Sequence, residues 1–331
     1  MTAPAPSSSP TTPATPAAAP TAAPAAPAAP AAGAAAPAAP AAPARGGAAR
    51  FGPVALVISA GISVQFGAAL AVTIMPRVGA AGVVTLRLAA AAIVLLLLCR
   101  PKLRGYSRSD WRTVLAFGVA MAGMNGLFYQ AVDRIPLGPA VTLEVLGPLA
   151  LSVIVSRRLV NLLWAGLALA GVVLLAGHGG GGFGGLDPLG AGFALGAGAM
   201  WAAYIVFSAG TGRRFPQADG LALAMAVAAV ISLPLGVFEA GSDLLRPSTL
   251  ALGVGVAVLS SVLPYTLELL ALRRLPAPTF AILMSLEPAI AATAGFLVLH
   301  QAMSALDALA IALVIAASMG AVRSQVGKRG E

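Results

Sequence analysis

Residues 127–150 read LFYQAVDRIPLGPAVTLEVLGPLA, and residues 263–290 read LPYTLELLALRRLPAPTFAILMSLEPAI. At a constant offset of 140 positions, both segments place a basic residue and a proline at a helix boundary and a second proline inside an apolar run. The matched pairs are Ala131 and Ala271, Arg134 and Arg274, Pro136 and Pro276, Leu143 and Leu283, and Pro148 and Pro288. Proline-interrupted spans at corresponding positions of two halves predict the central binding site of a membrane transporter.

The composition excludes an ordinary soluble protein. The chain is 59% hydrophobic and 9% charged, whereas a soluble domain has roughly 25% charged residues. The apolar runs after residue 53 are long enough to cross a bilayer, which takes about 20 helical residues. We therefore expect an all-α membrane protein.

The first 50 residues form a separate segment of Ala, Pro, Ser and Thr with twelve prolines. Closely spaced prolines favour polyproline II over helix, so residues 1–50 are predicted to be a disordered cytoplasmic tail. The segment lacks the basic start and apolar run of a secretory signal peptide. Cys99 is the single cysteine, so neither an internal disulfide nor a thiolate metal site is expected.

Apolar runs between charged residues and Gly/Pro breaks predict ten transmembrane helices. The predicted spans are 54–74, 81–99, 113–132, 137–156, 160–177, 189–208, 219–238, 251–271, 277–299 and 305–322. They form two inverted five-helix repeats, because an odd number of spans per half starts the second half on the other side of the membrane. The predicted units are 54–177 and 189–322, joined by a glycine-rich external linker at 178–188, with a cytoplasmic tail at 323–331.

The basic residues predict that both termini are cytoplasmic. Sixteen Lys and Arg residues fall on the side of the predicted termini, and the opposite loops hold three, Arg77, Arg134 and Arg246. Positive residues are retained on the cytoplasmic side. The net charge of +9 thus reflects membrane orientation, and no basic patch is interleaved with the aromatic residues of a nucleic-acid site.

Four ionisable residues fall inside predicted spans, namely Arg87, Glu144, Glu268 and Glu287. A charge at the centre of a bilayer costs about 2.5–3.5 kcal/mol on translocon scales, so such residues usually face a bundle interior or an aqueous cavity. Glu287 directly precedes Pro288, where the helix loses a hydrogen bond. Its carboxylate is expected to bind an amine or a proton; the alternative is a structural acid.

Alternatives stay open for the other three charges. Arg87 and Glu144 either form a structural ion pair or bind the two ends of a zwitterion. Glu268 lies near the cytoplasmic end of its span, one turn from Tyr265, where a long side chain can snorkel. Its role is either structural or part of a gate.

Neutral side chains complete the predicted site. Asn125 and Tyr129 share one helix face at i, i+4, and Trp201 and Tyr204 are three residues apart in the sixth span. Packing is the alternative role for the last two. The predicted hinge or broken-helix residues are Pro148, Pro264 and Pro288.

Four segments together resemble the EamA-type transporters of the drug/metabolite transporter superfamily. They are GMNGLFYQAVDRIPLGPAVTLEVLGPLA, ALGAGAMWAAYIVFS, SSVLPYTLELLALRRLPAPTFAILMSLEPAIAATAG and IAASMGA. Within that superfamily the likeness is greatest to bacterial inner-membrane threonine and homoserine exporters. The resemblance covers residues 54–322, and residues 263–295 are its most specific part.

The resemblance implies a ten-helix fold in which the first four helices of each repeat line a central cavity. It also implies proton-coupled efflux of small amino acids. One departure is visible, because the family often has a Gly-Glu pair after the ninth helix where this chain has Leu299, His300 and Gln301. His300 either replaces that acid or is a plain loop residue.

The leading hypothesis is therefore an exporter of small amino acids by proton antiport and alternating access, with Arg87 binding the carboxylate and Glu144 or Glu287 the ammonium. A second hypothesis is efflux of another metabolite or a cationic drug, which needs no Arg87. A third is a membrane scaffold or sensor. No enzyme, cofactor or metal site is expected, and a homodimer is left open.

Overall fold

The computed structural model describes residues 48–156, 159–177, 186–215, 219–272, 274–275 and 277–326, and within them the chain is helical with no β-strand. The α-helices are α1 (Ala48–Cys99), α2 (Arg108–Val132), α3 (Leu137–Glu144), α4 (Leu146–Ser156), α5 (Leu159–Gly177), α6 (Pro188–Gly212), α7 (Asp219–Ala240), α8 (Pro247–Ala257), α9 (Leu263–Leu272), α10 (Ala277–Met284), α11 (Glu287–Leu299) and α12 (Ala305–Val326). A 3₁₀-helix covers Gly241–Leu245, and a π-helix over Val258–Val262 joins α8 to α9. The predicted tail up to residue 47 and residues 178–185 of the predicted linker lie outside the described residues.

Seven helices in the described ranges are long and apolar enough to cross a membrane. The first, Gly52–Cys99, covers two of the predicted spans, 54–74 and 81–99. The predicted spans 160–177 and 251–271 fall on the shorter apolar helices Leu163–Leu174 and Pro247–Val262. The chain is therefore an all-helical, multi-pass membrane protein, and ten spans stay a prediction.

Helix α1 is interrupted at Gly79, between the first two predicted spans. Gly79 has φ 69° and ψ 175°, a backbone conformation that side-chain-bearing residues rarely adopt. The Glu239 carboxylate, at the end of α7, accepts a hydrogen bond of 2.7 Å from the Ala81 N–H. Glu239 therefore satisfies a backbone donor that the break leaves without a helical partner.

Two predicted spans are broken helices, and the breaks occur at matching positions. Helix α3 begins at Leu137 and ends at Glu144, while α10 begins at Ala277 and ends at Met284. Both bounds of α10 thus lie 140 positions after those of α3, which is the offset of the sequence repeat. In each case the proline that follows, Pro148 or Pro288, cannot donate a hydrogen bond to the last residue of the preceding helix.

Helices α2 and α6 are antiparallel neighbours, and ion pairs join them at both ends. Arg134 and Asp187 approach to 3.7 Å at the end called here the linker end. Asp110 and Arg214 approach to 3.4 Å at the opposite end. Both acids also cap the N-terminus of their own helix, because Ser107 and Asp110 form a capping box on α2 and Asp187 accepts from two backbone N–H groups of α6.

Glycines allow the broken α3–α4 helix to contact α6 through its backbone. A Cβ atom on Gly198 would meet the carbonyl oxygen of Glu144 and lie 3.2 Å from the backbone N of Gly147. A Cβ atom on Gly147 would in turn collide with the carbonyl of Gly198. This close approach of small residues is the usual way in which helices associate where lipid removes the hydrophobic driving force.

We expect Gly198→Ala to destabilise the protein, since its methyl group has no space beside Glu144. Overpacking of this kind costs about 1–3 kcal/mol, and each kcal/mol lowers the melting temperature by roughly 2–4 °C in a chain of this size. The matched control is Gly192→Ala on the same helix, where a Cβ atom meets nothing within 4 Å. Thermal unfolding of the two purified variants in detergent measures the difference, and equal melting temperatures would contradict the contact.

Candidate functional site

A cavity of about 120 Å³ lies between helices of both halves of the chain. That is many times the roughly 10–15 Å³ that one water molecule needs. Its lining is mostly apolar, but it includes four ionisable side chains together with amide, hydroxyl and aromatic groups. The lining residues are Val64, Gln65, Ala68, Arg87, Met124, Asn125, Phe128, Glu144, Trp201, Tyr204, Ser260, Pro264, Glu268, Met284 and Glu287.

The structure brings most of the predicted site residues together in this cavity. Those that line it are Arg87, Asn125, Glu144, Trp201, Tyr204, Pro264, Glu268 and Glu287. Tyr129 accepts a hydrogen bond from Arg87. Pro148 and Pro288 follow the two helix breaks. The side chain of Tyr265 lies outside the described part of the structure. Co-location makes these residues candidates, and their individual roles stay predictions.

Arg87 is held in place from two sides. One guanidinium nitrogen donates to the hydroxyl of Tyr129 at 3.4 Å, and the other donates to the carbonyl oxygen of Ser260 at 3.2 Å. The guanidinium carbon also lies 5.9 Å from the centre of the Tyr129 ring, within the range of a cation–π interaction. Tyr129 is fully buried, so it forms a rigid support for the charge.

Pro264 removes one regular hydrogen-bond donor to the carbonyl of Ser260. In a regular helix, the N–H of residue 264 would donate to that carbonyl, but proline has no N–H. The chain passes this point as the π-helix Val258–Val262, a distortion that often marks functional sites. The part-buried Arg87 donates to the carbonyl that has lost this donor.

The same stretch is tied to α1. The hydroxyl of Ser63 donates to the carbonyl of Leu259 at 2.6 Å. A Cβ atom on Gly67 would lie 3.0 Å from the backbone N of Ser260, so the two backbones are in close contact. The first helix of one half thus packs directly on the irregular helix of the other.

Three carboxyl groups face the cavity with Arg87. Glu268 and Glu287 are buried, with 4% and 7% of their surfaces exposed, and Glu144 is partly buried. Within the described ranges, no carboxylate oxygen lies within 4.0 Å of the Arg87 guanidinium. The predicted alternative of a direct Arg87–Glu144 ion pair is therefore absent from this structure.

Glu268 does not snorkel to the surface. It is buried and lines the cavity on α9, one turn after Pro264. Glu287 is the first residue of α11, and Glu144 is the last residue of α3. Two of the three acids thus lie at breaks in the membrane helices.

Sequence reasoning missed several lining residues, notably Gln65, Ser260 and Met284. A signal existed for the first two. Gln65 is a polar residue inside the apolar run 54–74, and Ser260 lies four positions before Pro264, where a carbonyl loses its helical partner. Met284 occupies in α10 the position that Glu144 occupies in α3, and only the fold shows that it reaches the cavity.

His300 does not line the cavity. It is exposed, ends α11 in a left-handed conformation (φ 52°) and belongs to the surface. Its neighbour Gln301 turns inward, and its side-chain oxygen accepts a 3.0 Å hydrogen bond from the N–H of Leu137 at the start of α3. Among the residues that depart from the family pattern here, it is therefore Gln301 that contacts the first half of the chain, at Leu137.

Comparison with known proteins agrees with this architecture. Residues 188–323 match the model of the EamA-like transporter family. A solved crystal structure aligns with 84% of this chain and 98% of its own, with a TM-score of 0.54 and 23% sequence identity, which shows a shared fold alone.

Two similar curated proteins are full-length relatives. The threonine/homoserine exporter RhtA of Salmonella typhimurium (strain LT2) is 42% identical over 271 residues, which cover 81% of this chain and 90% of the relative. The threonine/homoserine exporter RhtA of Escherichia coli (strain K12) is 41% identical over 274 residues, with the same coverage. With this identity along nearly the whole of both relatives, the chain belongs to the EamA-like transporter family and is a membrane transporter, not an enzyme.

Proposed function

We propose that this transporter exports threonine- and homoserine-like amino acids across the bacterial inner membrane by proton antiport. The observation that carries the proposal is one cavity that contains three carboxyl groups and a guanidinium with no carboxylate oxygen within 4.0 Å among the described residues. The RhtA relatives, named for the export of these two amino acids, support the substrate class.

An amino-acid zwitterion matches the charges of the cavity. Arginine has five N–H donors, and two of the Arg87 nitrogens each donate one to the protein. The remaining donors are free to bind a substrate carboxylate. The ammonium group then binds Glu144 or Glu287, the acids at the two helix breaks, so that each end of the substrate meets an opposite charge.

Competition for the carboxyl groups supplies the coupling to protons. Three ionised carboxylates in one buried cavity repel one another, and either a proton or an ammonium group relieves that repulsion. Protonation from the outer side at Glu287 releases the ammonium outward. Deprotonation towards the cytoplasm then restores the site for the next substrate.

The arrangement of the chain supports two inverted five-helix repeats with both termini in the cytoplasm. The bounds of α3 and α10 are separated by the 140-position offset of the sequence repeat. The excess of basic residues on the predicted cytoplasmic side sets the orientation. In this orientation the linker end is the outer face.

Contacts between the halves at the linker end correspond to a closed outer gate. Gln301 caps the start of α3, and Gly138 packs so closely on Ala292 of α11 that an added Cβ atom would lie 2.8 Å from that methyl group. Glu239 likewise joins α7 to the second part of α1. Alternating access requires these contacts to separate when the cavity opens outward.

Inside-out vesicles test the proposed function directly, because export appears as uptake. We expect labelled threonine and homoserine to accumulate when the lumen is acidic, and each to compete with the other. Equal accumulation with and without an acidic lumen would contradict proton antiport. Folded protein that transports neither amino acid would contradict the substrate class.

We expect Glu287→Gln to lose stimulation by an acidic lumen, because the amide cannot exchange a proton. Uptake at equal pH on both sides, driven by substrate exchange, separates lost coupling from lost binding. Asp133→Asn is the matched control, since Asp133 is an exposed carboxylate after α2. Unchanged pH dependence in Glu287→Gln would show that this glutamate does not carry the coupling.

Arg87 distinguishes amino-acid export from efflux of a cationic drug. Arg87→Ala should reduce threonine uptake by tenfold or more, a loss of about 1.4 kcal/mol or greater in binding, because the substrate carboxylate loses its partner. A cation carrier would keep its activity or gain some. Arg87→Lys retains the charge without the fork geometry, so an intermediate rate is expected, and size-exclusion profiles of each variant report correct folding.

A further inference from the structure

One buried polar atom beside the cavity, the side-chain oxygen of Gln65, has no hydrogen-bond partner in the part of the chain that the structure describes. Gln65 lies on α1 and is 4% exposed, and it lines the cavity together with Val64 and Ala68. Within the described residues, its side-chain oxygen is buried and has no hydrogen-bond partner. Buried polar groups are nearly always hydrogen-bonded, so an unpaired amide beside a cavity requires an explanation.

Other polar groups around Gln65 already have backbone partners. The hydroxyl of Ser63 donates to the carbonyl of Leu259 at 2.6 Å. The hydroxyl of Ser260 donates to the carbonyl of Val256, also at 2.6 Å. The amide of Asn125 donates to the carbonyl of Met121 at 2.9 Å. Gln65 differs from these residues because the structure records no hydrogen bond for its amide.

Gln65 and Arg87 line the same cavity. Gln65 shares its face of α1 with Val64 and Ala68, which also line the cavity, whereas Ser63 and Gly67 lie on the other side of the helix and contact the π-helix at Leu259 and Ser260. Arg87 donates to the carbonyl of Ser260, another lining residue. A substrate whose carboxylate binds Arg87 therefore occupies the cavity that the Gln65 side chain lines.

We propose that the Gln65 amide binds the side-chain hydroxyl of the transported amino acid and selects hydroxy amino acids over apolar ones of equal size. This inference rests on the proposed function and adds a specificity-determining residue to it. A hydroxyl both donates and accepts hydrogen bonds, so it complements the amide whichever of the two amide atoms faces the cavity.

A neutral hydroxyl is the substrate group that matches the neutral Gln65 amide. The charged ends of the substrate are already paired with Arg87 and the glutamates, so a third charged group would meet no counter-charge at Gln65. An apolar substrate side chain would leave the amide unpaired in a closed site. Sites built to hydrogen-bond a substrate hydroxyl reject analogues that lack it for this reason.

The test compares threonine with 2-aminobutyrate, which has the same carbon chain and no hydroxyl. In inside-out vesicles, the parent should prefer threonine, as the ratio of uptake efficiencies, by about tenfold or more. Homoserine should be preferred over 2-aminobutyrate in the same sense. Gln65→Met, which retains an unbranched side chain of similar length, should bring the threonine ratio close to parity through a higher KM for threonine.

Ser63→Ala is the matched control, because Ser63 lies two positions away on α1 and bonds the backbone of Leu259. Its ratio of threonine to 2-aminobutyrate uptake should equal that of the parent, whatever its total rate. Gln65→Asn keeps the amide with a shorter reach and should restore part of the preference. That partial rescue would not follow if Gln65 were only a packing residue.

The outcomes separate this inference from the proposed function. A parent that transports threonine and 2-aminobutyrate equally well would overturn the role of Gln65 and leave amino-acid export intact, even if no variant folds. An unchanged preference in Gln65→Met would overturn it as well. A parent that transports no amino acid would overturn the proposed function and this inference together.

Discussion

A helix in a bilayer must satisfy its backbone groups internally, and the prolines in the middle of this protein prevent that at defined positions. Pro264 removes the donor that a regular α-helix would supply to the carbonyl of Ser260, and Arg87 donates to that carbonyl at 3.2 Å. This hydrogen bond gives the part-buried charge a backbone acceptor. The cavity depends on this contact, because it anchors the guanidinium beside the open space.

Small residues make the broken helices compatible with a packed bundle. Gly147 and Gly198 bring the backbone of α4 against that of α6 next to Glu144. Gly67 brings α1 against Ser260 in the same way. Each close approach lies beside a site where a proline interrupts a helix, so dense packing compensates for lost backbone hydrogen bonds. The result is a closely packed cavity lining with charged groups at the helix breaks.

Some of the site was predictable from the chain because intramembrane charges and mid-span prolines are costly and therefore informative. Arg87, Glu144, Glu268 and Glu287 stand out in apolar runs, and the structure places all four in one cavity. The direction in which a side chain points was harder to predict. Periodicity does not tell whether a residue near a helix end, such as Glu268, reaches the surface or turns inward, because its side chain is long enough for either.

The sequence by itself determined the membrane class, the helical content and the sequence repeat at an offset of 140, since these follow from local composition and spacing. Tertiary structure alone decided which side chains share a cavity and which are left without partners. The side-chain oxygen of Gln65 has no hydrogen-bond partner among the described residues, because the face of α1 that carries Val64, Gln65 and Ala68 lines the cavity. Hydrogen-bond satisfaction is a property of the assembled neighbours, so a single helix sequence does not contain it.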